Sequence, residues 1–122
     1  MESKETAQLI KETWLEIFPN GHAQIRKILD GYSVILLIQN EWHNGIMQND
    51  PLSYWVRIDG ENAKEFQLHC LTRPPEGSNL VYKTVRMRKQ TIKNITKEKL
   101  IKRFSKIKEW LKTLDIKHEV NL

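Results

Sequence analysis

The fold turns on residues 53–71: Ser53-Tyr54-Trp55-Val56-Arg57-Ile58-Asp59, then Gly60-Glu61-Asn62, then Glu65-Phe66-Gln67-Leu68-His69-Cys70-Leu71. In the first run Tyr54, Val56 and Ile58 alternate with Trp55 and Arg57. In the second, Phe66, Leu68 and Cys70 alternate with Glu65, Gln67 and His69. Apolar residues at every second position mark strands with one buried face, and the short polar link makes the pair antiparallel. Residues Leu80–Arg88 continue the pattern, with Val81, Val85 and Met87 set against Tyr82, Thr84, Arg86 and Arg88. This predicts a β-meander over 53–88.

Upstream, Tyr32–Ile38 is apolar on both faces and reads as a central or covered strand. Residues 22–31 admit two readings. Ile25, Ile28 and Leu29 have helical spacing with Gly31 as a C-terminal cap, whereas Asp30-Gly31 before Tyr32 reads as a hairpin turn. The hairpin is preferred. Asn40–Leu52 is a connection rich in turn formers, in which Asn44-Gly45 is placed to turn Trp42 back on Ile46. Glu41-Trp42-His43 there reads as a Trp folded onto the core.

Helices bracket the strands. Ala7, Ile10, Trp14 and Ile17 recur at spacings of three and four, predicting a helix over 3–18 with Ser3 as N-cap, ended by Pro19-Asn20-Gly21. Leu100, Phe104, Ile107, Leu111 and Leu114 form a second stripe. It predicts a helix over 96–114, with Thr96 as cap and Ile95 and Leu100 as a hydrophobic staple. Ile116, His118, Val120 and Leu122 alternate as a final edge strand. The expected architecture is a single α+β domain over 1–122: an N-terminal helix, an antiparallel meander of four to five strands, a long amphipathic C-terminal helix and a last edge strand.

The chain has 122 residues, 39% apolar and 29% charged, enough for a core without metal or disulfide. One cysteine, Cys70, excludes an internal disulfide and thiolate metal clusters, and points to a reducing cytoplasm. The longest apolar run is Val34–Ile38, so no membrane span is expected, and the start shows no signal-peptide pattern.

Charge is placed unevenly. Residues 1–80 carry 7 basic and 11 acidic side chains, net −4, and residues 81–122 carry 13 and 4, net +9. Such asymmetry suggests contact with a polyanion. The sheet face expected to carry Trp55, Arg57, Gln67, His69, Tyr82, Thr84 and Arg86 interleaves aromatics with arginines, which suits single-stranded nucleic acid. A second cluster, Lys83, Arg86, Arg88, Lys89, Lys93, Lys97, Lys99, Lys102 and Arg103, suits a phosphate backbone. The candidate binding residues are therefore Trp55, Arg57, His69, Tyr82, Arg86, Arg88, Lys102 and Arg103. The same face suits a protein interface: a homodimer, or a dimeric adaptor, chaperone or phage or mobile-element inhibitor.

Enzyme signals are thin. Histidines 22, 43, 69 and 118 lack metal-ligand spacing, and no phosphate-cradling glycine loop or nucleophile motif occurs. His69 and Cys70, adjacent on a strand, face opposite ways. No catalytic residue, metal or cofactor is expected. The α-β-β-β-α-β element order resembles that of PD-(D/E)XK nucleases. That resemblance implies a Mg²⁺ site at Asp50 or Asp59 with Glu65, although Gln67 stands where lysine is usual. The expected function is non-catalytic binding of nucleic acid or a nucleoprotein complex through the basic C-terminal third.

Overall fold

A computed structural model describes residues 2–38, 42–43, 46–47, 52–74, 76–77, 79 and 82–116, with only the backbone given for 42–43 and 46–47. The elements are α1 (Ser3–Ile17), β1 (His22–Ile28), β2 (Gly31–Leu37), β3 (Trp42–His43), β4 (Ile46–Met47), β5 (Leu52–Asp59), β6 (Asn62–Thr72), β7 (Lys83–Arg86), β8 (Thr91–Ile92) and α2 (Lys97–Lys112). The main sheet runs β1-β2-β5-β6-β7, with β8 also on β6, and every pairing in it is antiparallel. This is the expected mixed α+β class.

Residues 22–31 form the hairpin. Ile28 pairs with Gly31, so the turn is Leu29-Asp30, one residue earlier than Asp30-Gly31. Gly31 has φ +151°, and a Cβ there would lie 2.9 Å from the Ile58 carbonyl oxygen, so glycine is required. Trp42–His43 pairs with Ile46–Met47 as the Asn44-Gly45 reading anticipated, but residues 44 and 45, and the side chain of Trp42, lie outside the described residues.

α1 begins at residue 3 as expected, with a different cap. Extended Glu2, not Ser3, is the N-cap, and its carbonyl accepts from the Thr6 amide at 2.9 Å. Thr96 caps α2, its side chain accepting from the Lys99 amide at 3.3 Å, and Ile95 and Leu100 are both buried. Both helices lie on one side of the sheet. Ala7, Ile10 and Trp14 of α1 and Leu100, Phe104, Ile107 and Leu111 of α2 are buried with Val34, Leu36, Tyr54, Val56 and Ile58. Trp14 anchors this core. Its ring lies 5.0 Å from Phe104, edge-on, and 5.4 Å from Tyr54, while its indole N–H donates to the Leu37 carbonyl at 2.8 Å. No helix among the described residues is long and apolar enough to cross a membrane.

The alternation expected for Glu65–Leu71 is broken. Ser53 pairs with His69 but Trp55 pairs with Phe66, so Gln67 and Leu68 together oppose Tyr54. This is a β-bulge, with Gln67 at φ +28°. The extra residue inverts the facing of the first half of β6. Ala63 and Glu65 are buried under the helices, and Phe66 turns to the other face, while Leu68 and Cys70 remain inside as expected.

The strand expected at Leu80–Arg88 is also shorter. Leu80 and Val81 lie outside the described residues, β7 ends at Arg86, and the chain rejoins β6 as β8 in the same register. Between them, Met87 and Gln90 keep single backbone bonds to Leu68 and Glu65, opposite the bulge. Of the expected last strand, Ile116 makes one bridge to Thr72, and residues 117–122 lie outside the described residues.

Candidate nucleic-acid interface

The face away from the helices is set by strand parity. β1 contributes His22, Gln24 and Arg26, β2 Ser33 and Ile35, and β5 Ser53, Trp55 and Arg57. β6 adds Lys64, Phe66 and His69, and β7 Arg86. Trp55 and Phe66 are cross-strand partners in parallel stacking, centroids 4.4 Å apart and planes 13° apart. Both are half-buried. The Lys64 ammonium lies 5.6 Å from the Phe66 centroid, which puts a cation against this aromatic platform.

The bulge shapes the surface around the platform, because a bulged strand bends and twists more sharply. Two concavities of about 710 and 720 Å³ meet at Ser53 and Gln67, whose side chains are 3.2 Å apart. The first is bordered by Gln24, Arg26, Ile35 and Trp55, the second by His69, Arg86, Arg88 and Lys89. Among the described residues, no acidic one borders either concavity. Arg57 is exposed and sits 3.9 Å from Asp30 at the hairpin tip, a loose surface pair that leaves the guanidinium open to solvent. His69 lies opposite Arg86 across the ladder. Burial first, and then the Arg86 charge, holds its imidazole below the usual histidine range.

The structure thus brings together Trp55, Arg57, His69 and Arg86 on one face. Arg88 is exposed just beyond β7, and Tyr82, 47% exposed, precedes it. Lys102 is exposed on α2.

Arg103 is a correction. It is 5% exposed and points into the core, where its Nη2 donates to Glu65 Oε2 at 2.6 Å and to the Arg88 carbonyl at 2.8 Å. Its Nε donates to the other Glu65 oxygen, completing a two-pronged pair, and the Tyr54 hydroxyl donates to the same carboxylate at 3.1 Å. Burial, then the adjacent Glu65 carboxylate, raises the Tyr54 pKa well above its ordinary value and keeps that hydroxyl a donor. The Gln90 amide supplies a further bond to Glu65 at 3.1 Å. Arg103 is therefore a structural cation, unavailable to a ligand.

The nuclease-like acid set does not assemble among the described residues. Glu65 faces the helices in that ion pair, Asp59 is exposed on the opposite side of the sheet, and Asp50 lies outside the described residues. No cluster of three His, Cys, Asp or Glu able to hold a metal occurs among the described residues. Cys70 is buried, and burial pushes its thiol up to about 11, so it is a core residue rather than a nucleophile.

Phe66, Arg26 and Lys64 lie on this outer face as well, although alternation alone assigns Phe66 to the core. No local signal marks the exchange: simple alternation puts the Glu65 carboxylate on the outer face and Phe66 inside, and the bulge exchanges them. Comparison with protein-family models, with curated proteins and with solved structures finds no match for this chain.

Proposed function

We propose that this protein is a non-catalytic, cytoplasmic binder of single-stranded nucleic acid, using the outer face of its sheet. The observation that carries the reading is the parallel Trp55–Phe66 stack on a face whose two concavities are bordered by Arg26, Arg86, Arg88 and Lys89 and, among the described residues, by no carboxylate. Bases of any sequence present a π face that extends such a stack, and each stacked base contributes about 1–3 kcal/mol. Arg26, Arg57, Lys64 and Arg86 lie on the same face to meet phosphates. Unpaired strands are favoured over duplex because the bases of a duplex are not free to stack on a protein ring.

The test is fluorescence anisotropy with labelled oligothymidylate, oligouridylate and a duplex of equal length, each at two salt concentrations. Single strands should bind more tightly than duplex, and affinity should fall with salt at about −0.7 in log–log slope per phosphate contact. Trp55→Ala should weaken binding by about 1–3 kcal/mol. Because Trp55 is half-buried, Arg57→Glu serves as a second variant with little demand on the core. No binding of either single strand at low salt overturns the reading. It would leave the same face to the protein-interface alternative, whose sign is a stable self-associated species.

A further inference from the structure

The cations outside the sheet face continue from it. The Met87–Gln90 segment carries exposed Arg88 and Lys89 along the sheet edge, where the second concavity ends. The chain then enters β8, and a groove of about 420 Å³ opens between β8 and α2. Gln90, Thr91, Lys93, Lys99, Lys102 and Lys106 are among the residues that border it, and among the described residues no acidic or aromatic one does. Lys99 is held beside the groove by bonds to the Lys93 and Asn94 carbonyls, at 2.8 and 3.1 Å. Lys93, Lys102 and Lys106 are exposed. Arg103, buried beneath, grips the Arg88 carbonyl and so fixes the segment where the surface turns from face to groove.

We propose that one nucleic-acid strand runs from the outer face over the Arg88–Lys89 edge into the groove between β8 and α2, where Lys93, Lys102 and Lys106 bind its backbone. This rests on the single-strand reading of the outer face. The groove lacks a ring, so it holds phosphates without selecting bases. The two parts differ in what they require of a ligand. A strand long enough only for the face gains nothing from the groove, and a longer strand reaches both.

The experiment compares oligothymidylates of about 4 and about 16 nucleotides, the range over which compact single-strand binders work. The variants are wild type, the triple reversal Lys93→Glu/Lys102→Glu/Lys106→Glu, and Arg57→Glu. Affinities are compared near physiological salt, where charges more than about 8 Å apart are screened, and the salt slope is taken from concentrations on either side of it. The triple reversal should leave the short oligomer within about twofold and weaken the long one at least about tenfold. It should also lower the long oligomer's salt slope by about two, as for three lost phosphate contacts. Calorimetry should give one long strand per protein. Equal weakening of both lengths, or no effect on the long one, overturns the continuous path. So does a second short strand bound per protein, which would make face and groove separate sites. Failure of the outer-face reading looks different: the short oligomer then does not bind, or binds regardless of Arg57→Glu.

Discussion

Arg103 and Glu65 face each other across the sheet–helix boundary, both almost wholly removed from water. Every buried side-chain nitrogen or oxygen among the described residues has a partner, and this pair is the most exacting case. Truncating Arg103 leaves a buried carboxylate without its cation, which costs about 3–5 kcal/mol. Arg103→Ala should therefore shift urea denaturation by that amount, whereas Glu65→Leu/Arg103→Met should recover most of the loss. The basic cluster read from sequence groups Arg103 with the solvent-facing cations and misses the one local sign of its burial. Arg103 lies three residues after Leu100 and four before Ile107, on the apolar stripe itself, where a cation needs a buried anion. The anion was not legible, because Glu65 lies inside only by virtue of the bulge. His69 is the residue where pH acts. Its folded pKa is depressed, by burial first and Arg86 second, so the unfolded chain takes up the proton more readily. Its contribution is intact above the unfolded value of about 6.5 and is lost as pH falls toward the folded value. An NMR titration should give a His69 midpoint below that value, moving up in Arg86→Gln. A midpoint at or above it would contradict the assignment.

At the scale of elements, helix stripes and strand alternation were readable, and the bulge was not. α1 and α2 match their periodic runs to within one or two residues, because an amphipathic face is written into spacing. Strand facing has a period of two, so one inserted residue reverses everything beyond it, and local composition does not mark the place. Deleting Gln67 should make the point. Without it, Phe66 and Leu68 become neighbours, the Ser53–His69 and Trp55–Phe66 pairings form one regular ladder, and Glu65, Leu68 and Cys70 keep their facing, while the Met87–Gln90 edge faces one residue fewer. Cooperative thermal unfolding should therefore persist with the Glu65–Arg103 pair in place, and its loss would show that the edge segment needs the bulge. Phe104 and Leu111 offer the contrasting case, where the expected facing is observed. Phe104→Ala should cost about 3–5 kcal/mol and Leu111→Ala about 2–5 kcal/mol in denaturant melts.

For the whole molecule, the division of charge along the chain is not the division in space. The acid-rich first 80 residues supply Arg26, Arg57 and Lys64 to the outer face, and the basic remainder supplies Arg86 there and loses Arg103 to the core. This bears on self-association, which the half-buried Trp55–Phe66 pair would otherwise invite. A closed dimer on a two-fold axis sets the same patch on both subunits. Through the outer face it would set Arg26, Arg57, Lys64 and Arg86 of one subunit against the same set of cations on the other, with Asp59 as the carboxylate that β5 places there. Like charges brought together at an interface cost several kcal/mol. The cost is greatest at low ionic strength, where charges act over about 30 Å, and smallest near 1 M salt, where they act over about 3 Å. Light scattering at low salt should therefore return the mass of one 14.5 kDa chain, and any association should appear only as salt is raised. A bound oligonucleotide, by neutralising the face, should give a complex of one chain and one strand. A species of twice the chain mass at low salt would mean that the face is satisfied by its own copy, and would move the protein-interface reading ahead of nucleic acid.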